Sequence, residues 1–310
     1  VTRVLLIGAG EVGAKHLTAL EEMPDVVVCA VADPSPPKVR PGVPLLAGWR
    51  AALRATSPEL VIVATPPGIA LTAARAAAET GATVLVEKPV VVDPAALVPQ
   101  AGDERIFVGF QPHFAPGLAA LFREPPAIRH AEVILACRRD RGYYRDWRTR
   151  YATAGGILHQ QAIHGLALAL RLMTPDPVLS CRAQLRRWRG WAEPEDRIEA
   201  ELTFAEGRSI AVRARVDDHG TPRHEVLLHL ADGRQLPITG RNLEHGLGPA
   251  AAAPSHQSLR LALYRALTDA AAGGAAHPCL FPLAALRRPL EVIDHVYRDA
   301  HGNSPAGSAA

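Results

Sequence analysis

Short apolar runs alternate with amphipathic stretches along the first third of the chain. Residues 4–7 are continuously apolar and end in Gly8-Ala9-Gly10-Glu11-Val12-Gly13, the pattern of a buried strand, a tight turn and a helix start. That helix runs through Leu17 and Leu20 and stops near Pro24. Apolar runs at 26–33, 60–65, 83–86 and 106–110 predict further strands. Residues 49–55 and 70–79 predict helices, the second closed by Gly81. A loop rich in proline (Pro34, Pro36, Pro37, Pro41, Pro44) follows the second strand. Strands alternating with helices at these intervals imply a parallel, doubly wound sheet.

The pattern then changes. Strand-like segments recur at 131–137, 197–204, 208–216, 225–230 and 235–238. Ile198, Ala200, Leu202 and Phe204 share one face, while Glu199, Glu201 and Thr203 share the other. Ile210, Val212, Ala214 and Val216 oppose Arg213 and Arg215 in the same way. Such alternation predicts an antiparallel sheet with one face on a core and one polar face. Helices are expected at 155–173 and 286–300.

The length of 310 residues suits two domains. Apolar residues at 48% and charged residues at 21% argue against wholesale disorder. A net charge of +3 is too weak a bias to indicate a nucleic-acid or membrane partner. Cys29, Cys137, Cys181 and Cys279 stand far apart, and no Cys-x-x-Cys pair suggests a zinc knuckle or redox dithiol. His219, His224 and His229 are irregularly placed and read as strand or turn residues, so no metal is expected. The first strand starts almost at once, which leaves no room for a signal peptide, and no apolar run is long enough for a membrane span. The expectation is a reduced, cytoplasmic, soluble protein.

Gly8-x-Gly10-x-x-Gly13 sits after a predicted strand and opens a helix, the context in which these glycines point to a dinucleotide. Gly8 permits the turn, Gly10 lets the backbone approach a pyrophosphate, and Gly13 lets the helix pack on the strand. The helix N-terminus offers free N–H groups to the phosphates. Asp33 ends the second strand, where a carboxylate accepts hydrogen bonds from both adenosine ribose hydroxyls. That favours NAD, whereas Lys38 and Arg40 lean toward the 2′-phosphate of NADP. The alternative for Asp33 is a turn-initiating role before Pro34.

Three further stretches fit together. Glu87-Lys88-Pro89 follows the fourth strand, and Trp147-Arg148 precedes Ala154-Gly155-Gly156-Ile157-Leu158-His159-Gln160-Gln161-Ala162-Ile163-His164. With the glycine loop, Val108-Gly109-Phe110 and Pro289-Leu290-Glu291-Val292-Ile293, the chain resembles the glucose–fructose oxidoreductase/inositol dehydrogenase (Gfo/Idh/MocA) family over nearly its whole length. The resemblance implies an α/β protein: an N-terminal Rossmann doubly wound parallel sheet plus a C-terminal α/β domain with a large open, mainly antiparallel sheet. The expected divisions are 1–112 for the dinucleotide domain, 113–300 for substrate binding and oligomerisation, and 301–310 for a flexible tail.

The resemblance also implies roles. Lys88 and His164 match the family's catalytic lysine and histidine. An ammonium at the end of a parallel strand can stabilise charge on a reacting oxygen, and a histidine can exchange its proton near neutral pH. Gln160, one turn before His164, stands where many members carry Asp, and Ala167 stands where many carry a second Asp. Trp147, Arg148 and His113 complete the candidate substrate set. Glu11, Val12, Thr65, Pro66, Glu87 and Lys88 join the three glycines and Asp33 as candidate cofactor contacts. Arg138, Arg139, Arg141, Arg145, Arg148 and Arg150 crowd one stretch with Tyr143, Tyr144 and Trp147; they form either a solvated face or a site for phosphate or carboxylate.

The expected activity is hydride transfer between a nicotinamide and a secondary alcohol or ketone of a sugar, sugar nucleotide or cyclitol. Alternatives are a dinucleotide-binding sensor or scaffold without turnover, and an enzyme using NAD(H) internally for a non-redox net reaction. The resemblance further implies a homodimer or homotetramer through the open sheet face, where Glu199 and Glu201 would meet Arg213 and Arg215 across strands.

Overall fold

The computed structural model describes residues 1–35, 42–173, 177–249 and 252–302. The chain begins β1 (Thr2–Ile7), α1 (Glu11–Leu20), β2 (Val26–Ala32), β3 (Leu45–Leu46), α2 (Trp49–Thr56), β4 (Leu60–Val63), α3 (Pro67–Ala78), β5 (Thr83–Val86) and β6 (Ile106–Val108). It continues through α4 (Leu118–Arg123), β7 (Ile128–Ala136), α5 (Tyr151–Ala154), α6 (Ile163–Met173), β8 (Val178–Arg186), β9 (Arg197–Phe204), β10 (Ser209–Arg215), β11 (Arg223–Leu230) and β12 (Gln235–Ile238). It ends with α7 (His256–Ala271), β13 (Phe281–Pro282) and α8 (Arg287–Gly302).

Two compact units result. The first comprises residues 1–91, 95–114 and 255–286. Its seven-stranded sheet has the order β13-β6-β5-β4-β1-β2-β3, parallel except for β13. β4 and β5 are buried along their whole length, as continuous apolar runs in a doubly covered sheet should be. Leu17 and Leu20 of α1, with Leu263, Tyr264 and Leu267 of α7, pack on Val4, Leu6, Ile62 and Leu85. α3 packs on β4 and β5 through an alanine row, Ala70, Ala73, Ala74 and Ala77. The expected division at 112/113 therefore departs from the contacts: α7 and β13 return to the first unit, because the sheet needs cover and an edge strand.

The second unit holds a six-stranded sheet, order β12-β11-β7-β10-β9-β8. Its pairings are antiparallel except β7 with β10, whose long intervening segment permits a parallel return. The expected alternation holds in β9, where Ile198, Ala200, Leu202 and Phe204 are buried while Glu199, Glu201 and Thr203 are exposed. α6 and α8 contact the strands of this sheet and each other. β8, unforeseen from the pattern, is a largely exposed edge strand and so carries no clean alternation. The helix expected at 155–173 is interrupted: α5 ends at Gly155 (φ +65°), and a π-helical turn at Leu158–Ala162 precedes α6. The expected tail begins inside α8, which reaches Gly302; residues 303–310, like Lys38 and Arg40, lie outside the described residues. Among the described residues no helix is long and apolar enough to cross a membrane.

Leu267 is fully buried on α7. If α7 is core to the first unit, Leu267→Ala should destabilise the protein by roughly 2–5 kcal/mol, as other buried leucine truncations do. Equilibrium denaturation checks this; a loss below about 1 kcal/mol would mean that α7 is only a peripheral strap.

Candidate cofactor and catalytic site

Strand order in the first sheet reverses between β1 and β4, and open α/β sheets bind ligands beyond the carboxyl ends at such a point. Gly8 follows β1 with φ +94°, and a Cβ there would stand 2.5 Å from the Ala64 carbonyl oxygen. A Cβ on Gly13 would collide with the Gly8 carbonyl. Gly10, by contrast, faces open space: a Cβ there meets nothing within 4 Å. It is also the N-cap of α1 and supplies no side-chain cap, so helix N–H groups remain for an anion. Thr65 Oγ1, beyond β4, is buried without a hydrogen-bond partner. The crowded turn, the open glycine and this orphaned hydroxyl fit a bound dinucleotide.

Asp33 is half-buried just past β2. Its Oδ2 accepts the Ala9 N–H at 2.6 Å and its Oδ1 accepts the Ser35 N–H at 2.8 Å. The carboxylate thus both starts the turn and fixes the glycine loop. Each oxygen keeps a further lone pair for a ribose hydroxyl. Glu11 is exposed and 3.6 Å from Lys15, Val12 is half-buried, and Pro66 caps α3.

Glu87, expected as a cofactor contact, is engaged with a neighbouring helix. Its carboxylate is buried inside the unit, with Oε1 3.1 Å from His16 Nε2 on α1. His16 Nδ1 in turn bonds the Tyr264 hydroxyl of α7. Burial alone would raise the Glu87 carboxyl, but the hydrogen bond and charge of His16, with Lys88 and Arg260, hold it below the usual carboxylate range. A Cβ on Gly109 would lie 2.9 Å from the Glu87 carboxyl carbon, so Gly109 leaves room for this group. Glu87 therefore anchors the segment that carries Lys88, which is itself half-buried after β5. His113, expected as a substrate contact, is fully buried between Phe110 and Phe281, with ring centroids 5.1 and 5.7 Å away.

In the second unit, the segment leading to His164 is fastened at its start. Glu195 Oε1 accepts the Ile157 N–H at 2.8 Å and the Tyr297 hydroxyl at 2.5 Å, while the Leu158 N–H reaches the Tyr297 oxygen at 3.2 Å. A carboxylate at a helix start satisfies donors and opposes the dipole. Burial pushes the Glu195 carboxyl above its ordinary range, against the hydrogen bonds from Tyr297 and Ile157. Gly156 fits beneath this pair, where no Cβ could. His159, in the π-helical turn, stacks on Tyr297 at 5.5 Å. Gln160 is buried and donates through Nε2 to the Gly155 carbonyl at 2.9 Å, so its amide is engaged with the main chain. His164 is half-buried, 6.5 Å from the His224 ring of β11. Gly165 allows that approach, since a Cβ there would stand 2.6 Å from His224 Nε2. Ala167, at the position of the family's second Asp, is fully buried.

The arginine-rich stretch is not a uniformly solvated face. Arg139 and Arg148 each lie 5.0 Å from the Tyr143 ring, and Arg148 also lies 4.5 Å from Trp147. Arg139 Nη2 donates to Gln161 Oε1 at 2.9 Å, and the Gln161 amide reaches the Tyr143 hydroxyl. Among the described residues neither guanidinium is paired with a carboxylate. Glu195, Tyr297 and His16 had no sequence signal, and Gln161 was legible only as part of the motif before His164: each acts on a partner brought close only by folding.

Two family comparisons match the chain. Residues 2–99 match the oxidoreductase family, NAD-binding Rossmann fold, and residues 127–234 match the GFO/IDH/MocA C-terminal domain. The chain belongs to the Gfo/Idh/MocA family, with an NAD-binding Rossmann domain followed by that family's C-terminal domain. It is similar in fold to the WlbA dehydrogenase from Chromobacterium violaceum, solved with NADH and UDP-GlcNAcA, at 21% identity and TM-score 0.80, covering 99% of this chain and 97% of that one. It is likewise similar to GenD2 from gentamicin A biosynthesis, solved with NAD, at 22% identity and TM-score 0.78, covering 97% and 94%. Levoglucosan dehydrogenase with NADH and L-sorbose matches at 18% identity and TM-score 0.78, covering 97% of each chain. A search among curated protein sequences returned no match.

Burial pushes the His159 imidazole from 6.5 down to about 4, against a main-chain bond to Val92. It stays neutral in the folded chain at pH values where an unfolded histidine is charged. Its contribution is complete above pH 6.5 and is lost as pH falls toward 4. The loss is on the order of 3 kcal/mol at the acid end. His159→Gln should therefore flatten the decline of denaturation midpoints across this window; identical slopes in both proteins would remove His159 from the account.

Proposed function

We propose that the protein is an NAD-dependent dehydrogenase or reductase acting on a secondary alcohol or ketone of a sugar or sugar derivative. The observation that carries this reading is the loop at Gly8, Gly10 and Gly13, closed to any side chain at Gly8 and Gly13 and open at Gly10, with Thr65, whose hydroxyl is orphaned, against Gly8. Family membership supports it, as do the NADH complexes of similar proteins with UDP-GlcNAcA and L-sorbose. The bound dinucleotide supplies the hydride donor or acceptor. Asp33 holds the adenosine ribose, which selects NAD over NADP. His164 takes the proton of the substrate hydroxyl, or returns it in the reverse direction. Lys88, an ammonium beyond the end of β5, can stabilise negative charge on a reacting oxygen. The Tyr143 stack with Arg139 and Arg148 supports a substrate bearing a carboxylate or phosphate, which guanidinium forks bind well.

Lys88→Ala and His164→Ala should each keep NADH binding, read by fluorescence, while turnover falls by roughly 10²–10⁴-fold. The assay is a panel of neutral and anionic sugars followed at the nicotinamide absorbance and by product mass. Near-normal rates in either variant would remove that residue from the chemistry. No turnover on any sugar by the wild type, with NADH still bound, would favour a sensor.

Cofactor choice is read separately. Fluorescence titration should show tighter NADH than NADPH binding, and Asp33→Ser should narrow the difference. Equal or inverted wild-type affinities would overturn the assignment of Asp33.

A further inference from the structure

We propose that the open face of the second sheet carries a binding site for a divalent transition metal, zinc by ligand type, formed by His130, Glu132 and His229. His130 and Glu132 are two residues apart on β7 and so point to the same face. His229 lies directly opposite His130 in the antiparallel pairing of β11 with β7. One nitrogen of each ring and one carboxylate oxygen all lie within 4.8 Å of one another. All three residues are half-buried, reachable from solvent yet held in place. The irregular sequence spacing that argued against His229 as a ligand is set aside by this pairing: the third ligand comes from a neighbouring strand.

The surroundings suit ligation. His130 Nδ1 is 2.8 Å from Ser209 Oγ on β10, and His229 Nδ1 is 3.3 Å from the Gln235 amide on β12. Partners at Nδ1 orient a ring and leave Nε2 for the metal, the usual arrangement around a ligating histidine. Rotation of the Gln235 amide presents its oxygen to an Nδ1–H, leaving Nε2 without a proton. The donated bond from His229 Nε2 to Glu132 Oε1, 3.0 Å long, is what a metal would replace. Two imidazoles and one carboxylate suit zinc and leave a coordination position for water.

One feature opposes binding. Arg213 Nη1 lies 3.1 Å from Glu132 Oε2 and places a positive charge beside the cation. Affinity should therefore be moderate, and it should rise when this charge is removed. The buried row of the same sheet faces the other way: a Cβ on Gly165 of α6 would lie 3.0 Å from Val133 and 3.1 Å from Val226. The metal is thus on the opposite side of the sheet from His164 and takes no part in the proposed redox step. It ties β7 to β11 directly, and β10 and β12 through Ser209 and Gln235.

The test is calorimetric titration of chelator-treated full-length protein with zinc chloride, with NADH binding as a folding control. One zinc per chain should bind saturably at micromolar concentration, and His229→Ala and Glu132→Gln should each weaken it by about tenfold or more. Arg213→Gln should tighten binding, a result that mere loss of a structural contact does not give. His219→Ala should change nothing. Absence of saturable binding in the wild type, survival of the same affinity in His229→Ala, or no gain in Arg213→Gln would each overturn the site. If His229→Ala misfolds, Ser209→Ala replaces it as the weakening variant, and an unchanged affinity there counts against the site.

Discussion

A parallel sheet has no wet face: both sides of every central strand must be covered by something apolar. In the first unit this constraint governs the architecture. β4 and β5 are wholly buried, so helices must lie above and below them. Among the described residues the segment before β6 supplies the α-helices α1, α2 and α3, and the cover beside α1 comes from α7, far along the chain. Leu263, Tyr264 and Leu267 complete a core that Val4, Leu6 and Ile62 begin. The same return brings the Tyr264 hydroxyl to His16.

That hydroxyl belongs to a second constraint, the cost of burying ionisable groups. A buried carboxylate persists only where partners compensate for lost water. Glu87 has His16, which holds it ionised; Glu195 has the Tyr297 hydroxyl and the Ile157 N–H, which offset its burial only in part. Each buried acid sits next to an element with a proposed chemical role. Glu87 precedes Lys88 in the chain, and Glu195 fastens the start of the segment that leads to His164. These acids position their neighbours and need not touch a substrate. The glycines nearby follow from the same economy of space: Gly109 admits the Glu87 carboxylate and Gly156 the Glu195–Tyr297 pair.

The polar face of the second sheet obeys weaker rules. Arg213 reaches Glu132 at 3.1 Å and Glu201 at 3.8 Å, and Arg197 and Arg215 share Asp217. Exposed pairs of this kind contribute little to stability. They do bring side chains from separate strands into fixed neighbourhoods, and so place two histidines and a glutamate together.

The sequence by itself determined whatever is encoded locally. Period-two alternation placed β9 and β10, continuous apolar runs placed β1, β4 and β5, and the glycine spacing placed the dinucleotide turn, because each depends on residues a few positions apart. The motifs at Lys88 and His164 were legible for the same reason, as was family membership. Only the tertiary structure decided that Glu87 turns inward to His16, that His113 is sealed between Phe110 and Phe281, and that α7 joins the first unit. It also decided that a π-helical turn interrupts the helix before His164, that β7 and β10 run parallel, and that His130 faces His229. These features depend on contacts between residues distant in sequence. Local pattern fixes which face of an element is apolar, but the choice of partner is made only when all the faces compete for cover.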